Sequence, residues 1–323
     1  MFLIDEHISF SILENFLRDK NWLQENEQIT SISKAGEGNM NVVLRVKTNI
    51  RSFIAKQSRP FVQKYQQVPA PLHRIEVEQK FYKAIQKPSL QQHLPKVIGY
   101  DTNSYMLVLE DLGQCEDMST IYQARSISGN VLKKLITIVQ EIHQAEVPKG
   151  FPSNLEMRNL NHQHIFELPF ISENGFSLDD IQEGLQELSE PYKKDLSLKK
   201  EIDKIGVRYL EQGDTLLHGD YYPGSWMTTE ENLYVIDPEF GFVGFPEFDL
   251  GVMAAHLIMA TGKQHYLNEV ITAYTNAVDA KLTAQITGIE IMRRIIGLAQ
   301  LPLERTLDEK EYLLQLGHQL ILS

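Results

Sequence analysis

Hydrophobic residues follow two different patterns along the chain, and the change comes just after residue 110. Between Ile29 and Gln57 the apolar positions fall in short β-branched or aromatic runs, Val42–Val46 and Phe53–Ala55, which predict strands. Lys96–Tyr100 and Tyr105–Glu110 are separated by the turn-forming sequence Asp-Thr-Asn and predict a further strand pair. The N-terminal part is therefore expected to be mainly β-sheet.

Helical periodicity accounts for most of the remaining apolar residues. An amphipathic segment is found at Phe10–Leu23, and another helix, Leu72–Ile85, follows a proline-rich break. Beyond Leu112-Gly113, helices are predicted at Val131–Ala145, Leu178–Leu188, Leu196–Leu210, Leu250–Ala260, Leu267–Val278 and in the C-terminal stretch. The exception is a hairpin predicted from Thr215–His218 and Leu233–Ile236.

These patterns predict an α+β fold with two lobes. Residues 1–111 would form a small antiparallel-sheet lobe with one main helix, and residues 112–323 would form a larger, mostly helical lobe. Such a layout leaves a cleft between the lobes, where we expect the functional site.

Charge and cysteine usage narrow the classes of function. The 323 residues include 31 basic and 43 acidic side chains, a net charge of -12, without a basic block, so no nucleic-acid or membrane partner is expected. The single Cys115 favours a reducing compartment, and the acidic first residues differ from a signal peptide. The apolar stretch Gly251–Gly262 is too short to span a bilayer. We expect a cytoplasmic protein, and we leave a homodimer open as an alternative to a monomer.

Two acidic motifs follow apolar strands in the C-terminal half. Asp220 lies in HGDYYPGSW after the first strand of the predicted hairpin, and Asp237 and Glu239 lie in DPEF after the second. Pairing of these strands would bring the acids together. Two carboxylates separated by one residue suit Mg²⁺ shared with substrate phosphates, which leaves Asp220 free to accept a proton. The alternative is that the aspartates only cap turns.

A glycine-containing loop and a lysine indicate a phosphate site in the N-terminal half. Gly36, Gly38 and Asn39 allow backbone amides to turn toward a phosphate, and Lys56 on the next apolar strand can reach the same anion. The third glycine of a dinucleotide-binding loop is missing, and no helix follows. A plain hairpin turn is the alternative.

The helix predicted at Leu72–Ile85 offers a carboxylate partner for Lys56. Its apolar side is centred near Glu78, whereas Glu76 points away from that side. A carboxylate on an apolar face needs a cation because burial of an unpaired charge is costly. We therefore expect an ion pair between Lys56 and Glu78, against the alternative that Glu78 reaches solvent.

Charged residues also interrupt apolar helical runs nearer the C-terminus. Arg293 and Arg294 require anionic or hydroxyl partners, and from the residues alone a structural ion pair with a nearby acid is the expected explanation. Asp249 directly precedes the apolar run that starts at Leu250. It is expected to cap the helix and to brace the acidic loop.

Together these motifs resemble the aminoglycoside phosphotransferase family of small-molecule kinases, which share a two-lobed protein-kinase-like fold. The resemblance rests on five segments in order, GEGNMNVVLRV, AKQSRP, HGDYYPGS, DPEFGFVG and MRRIIG. Within the family the motifs are most similar to those of the methylthioribose kinases. The resemblance implies transfer of a γ-phosphoryl group to a hydroxyl of a small molecule, with ATP and Mg²⁺ as cofactors.

On the nucleotide side, the resemblance implies that Lys56 and the glycine loop bind the phosphates and that Glu78 holds Lys56. The connector backbone from Glu110 to Leu112 would pair with the adenine edge. Asp237 and Glu239 would bind magnesium. In the wider family a metal-binding Asn stands at the position of Ser225, which is therefore a further candidate metal ligand.

On the acceptor side, the resemblance implies that Asp220 is the catalytic aspartate. Arg293 and Arg294 would hold the sugar and the transferred phosphoryl group, in place of a purely structural ion pair.

The catalytic segment departs from the family pattern at Tyr221, Tyr222, Pro223 and Trp226. These positions are expected beside the acceptor hydroxyl, where their bulk would change the substrate without changing the reaction. Methylthioribose or a similar sugar is the expected acceptor. The alternatives are an aminosugar or amino alcohol as acceptor, a metal-dependent hydrolase built on the same acids, and a catalytically silent nucleotide-binding protein.

Overall fold

A computed structural model describes the fold of residues 1–36, 40–229 and 232–323. In this part of the chain the strands are β1 (Ile29–Lys34), β2 (Asn41–Thr48), β3 (Ser52–Ser58), β4 (Phe61–Val62), β5 (Tyr65–Pro69), β6 (Val97–Asp101), β7 (Met106–Glu110), β8 (Glu116–Asp117), β9 (Thr215–Leu217), β10 (Trp226–Thr228), β11 (Leu233–Val235) and β12 (Phe242–Gly244). The helices are α1 (Phe10–Asp19), α2 (Arg74–Ala84), α3 (Pro88–Gln91), α4 (Ile121–Ala124), α5 (Gly129–His143), α6 (Leu155–His162), α7 (Leu185–Lys194), α8 (Leu196–Leu210), α9 (Glu247–Thr261), α10 (His265–Ala273), α11 (Ala280–Ile296) and α12 (Leu307–Leu322).

One antiparallel sheet organises the N-terminal part, with the strand order β1–β2–β3–β7–β6. Leu44, Val46 and Phe53 from this sheet are almost inaccessible and pack with Leu13 and Leu17 of α1. One face of the sheet is thus covered by a single helix, as expected for a small antiparallel layer. The strands predicted in this part of the sequence are confirmed.

Helix α1 is shorter than its amphipathic pattern predicts and ends at Asp19 rather than at Leu23. Asn21 has a φ of +59°, a left-handed conformation that a helix cannot continue through. Trp22 and Leu23 still pack in the core beneath the sheet, but as loop residues.

Helix α2 connects the sheet to the helical part of the protein. Ile75 and Phe81 on its buried side belong to the same core as Leu107 and Leu109 of β7. That core continues through α5, α8, α9, α11 and α12. Because one core spans both parts, α2 holds its polar residues at a fixed position relative to the C-terminal helices.

Close helix contacts fix α11 between α9 and α12. A Cβ atom on Gly251 of α9 would lie 2.6 Å from a side-chain carbon of Ile286, and a Cβ on Gly288 of α11 would lie 2.5 Å from the carbonyl oxygen of Gly317. Only glycine permits backbones to approach this closely. Among the described residues, no helix has the length and apolarity that crossing a membrane requires.

The hairpin predicted from Thr215–His218 and Leu233–Ile236 is wrong. Strand β9 pairs with β12, whereas β11 pairs with β10, which lies nearer to it in the sequence. A shorter connection closes at lower entropic cost, which favours the local pairing.

The helix predicted at Leu178–Leu188 begins only at Leu185. Gly184 has a φ of +85°, and Asp179 Oδ1 accepts a hydrogen bond from the Gln186 N–H across the turn. Such side-chain contacts to the backbone compete with helix formation.

Candidate active site

Lys56 lies at the centre of a buried ion cluster. Its Nζ on β3 is 2.6 Å from Glu78 Oε2 on α2 and 2.6 Å from Asp237 Oδ1 in the loop after β11. The Lys56 and Glu78 side chains are almost inaccessible, whereas half of the Asp237 side chain is exposed. Glu76 faces outward and pairs with Lys80, as the helix-face argument predicts.

The charges of this cluster keep Lys56 protonated. Burial lowers the pKa of Lys56, but the negative charges of Asp237, Glu78 and Glu239 outweigh burial and raise the pKa above its ordinary value. Asp237 itself has a φ of +62°, which is uncommon for a residue other than glycine. This bend ends strand β11 and brings the carboxylate to the lysine.

Glu239 is buried and has protein partners of its own. Its Oε2 accepts a hydrogen bond from Asn41 Nδ2 at 2.7 Å and lies 3.2 Å from Arg74 Nε. The inaccessible Arg74 also donates to three backbone carbonyls, including that of Met40. Asn41 and Arg74 therefore join the start of β2 to the second acidic motif. The sequence analysis identified neither residue. For Arg74, the available signal was a charged residue at the start of a helix with a buried apolar side.

Asp249 braces the loop that carries Asp220. Its two carboxylate oxygens accept hydrogen bonds from the backbone N–H groups of His218 and Gly219, at 2.8 and 2.9 Å. His143 Nε2 lies 3.1 Å from the same carboxylate. The predicted bracing is found, but the predicted helix cap is wrong because α9 starts earlier and Asp249 lies within its first turn.

His218 joins the two acidic loops although their strands do not pair. Its Nε2–H donates to the carbonyl of Ile236, the residue before Asp237, at 2.9 Å. The backbone N–H of Ile236 donates to the carbonyl of Ser225 at 3.0 Å. The two acidic loops are thus adjacent through contacts that the hairpin prediction did not include.

Asp220 faces the twin arginines. Arg294 Nη2 lies 3.7 Å from Asp220 Oδ1, and the Asp220 side chain is 23% exposed. Burial raises the pKa of Asp220 to about 6, although Arg294 and Arg293 oppose this shift. The guanidinium of Arg294 also lies 5.1 Å from the centre of the Tyr222 ring. Asp220, Arg294 and Tyr222 therefore form one group.

Both arginines also pair with an acid on their own helix. Glu290 lies one turn before them on α11 and bonds to Arg293 and Arg294. The ion pair expected from the residues alone is therefore present beside the contact to Asp220.

Two of the catalytic-segment aromatics do not lie beside the acceptor position. Tyr221 and Trp226 are fully buried in the larger core, and the Tyr221 hydroxyl donates to the carbonyl of Leu135. The expectation that they line the acceptor site is wrong, because both rings pack into the core of the larger lobe. Tyr222 is the one that lies near Asp220.

The structure describes only some of the residues predicted to bind the nucleotide. Gly36 has a φ of +76°, and no atom of the described residues lies within 4 Å of a Cβ built on it. Gly38 and Asn39 lie outside the described residues. In the connector, the Glu110 N–H donates to the carbonyl of Lys96 at 2.8 Å. Among the described residues, the Leu112 N–H has no hydrogen-bond acceptor.

Asp237 and Glu239 are the two acidic residues of the second acidic motif. In the described ranges, no group of three or more His, Cys, Asp or Glu side chains is placed to hold a metal ion. Asp237 and Glu239 offer two carboxylates, which fits an ion such as Mg²⁺ that completes its shell with water and phosphate oxygens. The Ser225 hydroxyl donates to the carbonyl of Asp220 at 2.9 Å.

Comparison with known proteins shows the family of this chain. Residues 31–284 match the phosphotransferase enzyme family, APH. A methylthioribose kinase from Exiguobacterium sibiricum is 27% identical over an alignment covering 92% of this chain and 88% of the relative.

Solved structures show the same fold at low sequence identity. LicA, a choline kinase from Streptococcus pneumoniae, in complex with AMP has a TM-score of 0.55 at 16% identity, covering 96% of this chain and 97% of that chain. A spectinomycin phosphotransferase in complex with ADP and spectinomycin has a TM-score of 0.54 at 12% identity, covering 96% and 98%. The predicted α+β, two-lobed protein-kinase-like fold is confirmed.

Proposed function

Because the chain belongs to the phosphotransferase enzyme family, we propose that it is a kinase that transfers the γ-phosphoryl group of ATP to a hydroxyl of methylthioribose or a similar sugar. The observation that carries this proposal is the buried cluster in which Lys56 contacts Glu78 and the half-exposed Asp237. A lysine held as a cation between carboxylates suits the phosphates of a nucleotide.

In the proposed reaction, Asp220 orients the acceptor hydroxyl and takes its proton. The hydroxyl oxygen forms a bond to the γ-phosphorus while the bond from that phosphorus to the β,γ-bridging oxygen breaks, and ADP leaves. The raised pKa of Asp220 supports this role, because proton transfer is most effective when the pKa lies near the working pH. Arg293 and Arg294 would stabilise the negative charge of the group in transfer.

Magnesium is part of this proposal. Asp237 and Glu239 would hold the ion, with Ser225 as a further candidate ligand. When bound, the ion would neutralise charge on the β- and γ-phosphates. The half-exposed Asp237 carboxylate supports the assignment, whereas Glu239 would have to share its carboxylate with Asn41 and Arg74.

The rest of the nucleotide site follows the family pattern. Gly36, Gly38 and Asn39 would cradle the phosphates, and the backbone of Glu110 and Leu112 would pair with adenine. The Leu112 N–H, which has no acceptor in the described part of the chain, supports this placement. We keep the lobe boundary between residues 111 and 112, the cytoplasmic location and the homodimer as predictions.

Contacts around Tyr222 favour a sugar over a cationic acceptor. Quaternary ammonium groups commonly bind on aromatic faces, but Arg294 already lies over the Tyr222 ring. Two guanidinium groups near Asp220 would also repel a cationic acceptor. Sugar hydroxyls can accept hydrogen bonds from these groups, and the similarity to a methylthioribose kinase points the same way.

The test is an ADP-release assay with ATP and magnesium across a panel of acceptors, namely methylthioribose, ribose, an aminoglycoside, choline and no acceptor. We expect ADP release that depends on methylthioribose or a similar sugar, with the phosphorylated position read by NMR. Release only with choline or the aminoglycoside would replace the acceptor class. Release without any acceptor would indicate a hydrolase, and nucleotide binding without release would indicate a silent binding protein.

A further inference from the structure

Glu290 joins the twin arginines through a single buried carboxylate. Its Oε1 accepts hydrogen bonds from Arg293 Nη2 at 2.9 Å and from Arg294 Nε at 2.8 Å, and its Oε2 accepts one from Arg293 Nε. Glu290 is 2% exposed, and its spacing places it one helical turn before both arginines on α11. Both of its oxygens are therefore committed to the two guanidinium groups.

A second helix holds this carboxylate from the other side. His256 Nε2 on α9 lies 2.9 Å from Glu290 Oε1, and its Nδ1 lies 2.6 Å from the Tyr122 hydroxyl. Burial lowers the pKa of His256 to about 4, so the ring is neutral at neutral pH. A neutral ring that donates to a carboxylate from Nε2 must accept from Tyr122 at Nδ1. Tyr122, His256 and Glu290 thus form a directed chain toward the arginines.

This arrangement leaves one nitrogen of each guanidinium available. Within the described part of the chain, no hydrogen bond is made by Arg293 Nη1 or by Arg294 Nη2, and the latter lies 3.7 Å from Asp220. Adjacent guanidinium groups repel each other, and a carboxylate shared between them removes most of that repulsion. Without Glu290, the pair would separate and reach for other acceptors.

We propose that Glu290 is a positioning residue for phosphoryl transfer, which holds Arg293 and Arg294 so that one nitrogen of each faces an anionic group beside Asp220. The inference rests on the proposed kinase function. Because Glu290 is almost inaccessible, it would touch neither the acceptor nor the nucleotide and would act only through the arginines.

A double-mutant cycle separates this role from a merely structural one. Glu290→Gln should lower kcat with the best acceptor by about 100-fold, because a displacement of about 1 Å has a cost of this size. The Kd for ADP, measured by calorimetry, should stay unchanged. In an Arg294→Gln background the same substitution should cost less, since one of the two arginines through which it acts is already gone. If Glu290→Gln lowers kcat by the same factor in the wild-type and Arg294→Gln backgrounds, the two residues act independently and the proposal is overturned.

Two further variants control for effects on folding. Glu27 is another fully buried carboxylate, paired with Arg51 far from Asp220, and Glu27→Gln should lower the thermal unfolding midpoint without changing kcat. His256→Gln keeps a side-chain N–H donor and should retain most activity, whereas His256→Leu should lose kcat as Glu290→Gln does. Equal activity of the two His256 variants would count against the proposal, even if Glu290→Gln failed to fold.

A measurement that does not depend on turnover tests the role of Glu290 even if the proposed kinase function is wrong. In the wild-type protein, the Nε–H groups of Arg293 and Arg294 should give NMR signals protected from exchange with water, and Glu290→Gln should abolish that protection in a folded protein. If no acceptor is phosphorylated but this protection is lost, the kinase proposal fails and the positioning of the arginines stands. If the signals stay protected in the variant, the inference about Glu290 is wrong.

Discussion

Lys56 Nζ and Asp237 Oδ1 lie 2.6 Å apart although 181 residues separate them in the chain. The same ammonium contacts the buried Glu78 at 2.6 Å. One lysine thereby links strand β3, helix α2 and the loop after β11. This contact joins the N-terminal sheet to the second acidic motif.

Replacement of Lys56 by Met should weaken both the fold and nucleotide binding. Glu78 would remain buried without a cation, and breaking a buried pair in this way costs roughly 3–5 kcal/mol. We expect the free energy of unfolding, measured in urea, to fall by that amount and the Kd for ADP to rise. Lys87→Met removes an exposed lysine that also pairs with a glutamate, Glu141, and should change neither quantity. Unaltered ADP affinity in Lys56→Met would contradict the role of Lys56.

Replacement of Arg74 by Met should show whether Glu239 depends on its buried partner. The change leaves Glu239 without its buried cation and the carbonyl of Met40 without its donor, so we expect a loss of stability of roughly 3–5 kcal/mol in urea unfolding. Arg125→Met removes an exposed pair with Glu309 and serves as the matched control, with little change expected. Equal effects of the two substitutions would argue against a structural role for the Arg74 contact.

The pH dependence of turnover should report Asp220. As the proton acceptor it must be ionised, and its pKa lies at about 6 instead of the ordinary 3.8. The value of kcat/KM for the acceptor should therefore fall as the pH drops through about 6 and level off above it. Circular dichroism at the lowest pH shows whether the protein is still folded. If kcat/KM falls only near pH 3.8, the ordinary pKa of an aspartate, burial does not raise the pKa of Asp220.

Tyr221 and Tyr222 are adjacent in sequence but should respond differently to substitution. Tyr221→Phe removes a buried hydrogen bond to Leu135, which should cost about 1 kcal/mol in unfolding free energy and leave acceptor kinetics unchanged. Tyr222→Leu removes the ring beneath Arg294 and should raise the KM for the acceptor while the KM for ATP stays constant. The opposite pattern, with kinetics altered by Tyr221, would place the wrong residue at the acceptor.

The sequence predicts most of the fold and the position of Glu78, because both depend on local periodicity. Apolar residues at strand and helix spacing set which face is buried, and a carboxylate on that face requires a cation. The direction of Tyr221 was beyond this reasoning, since a short irregular loop has no period from which to assign faces. Arg74 and Glu290 were missed for different reasons. The partners of Arg74 lie in distant segments and are brought together only by the tertiary fold. The arginine partners of Glu290 lie on its own helix, but the sequence does not show which of the nearby acids pairs with the arginines.

The most direct test of the central claim is a comparison of Asp220→Asn with the wild-type protein in acceptor-dependent ADP release, together with the Kd of each for ADP. Loss of the proton acceptor should reduce turnover by about 1000-fold, within the range seen for general bases, while the Kd stays within about threefold. Turnover that survives the substitution, or a loss confined to nucleotide affinity, would contradict the account.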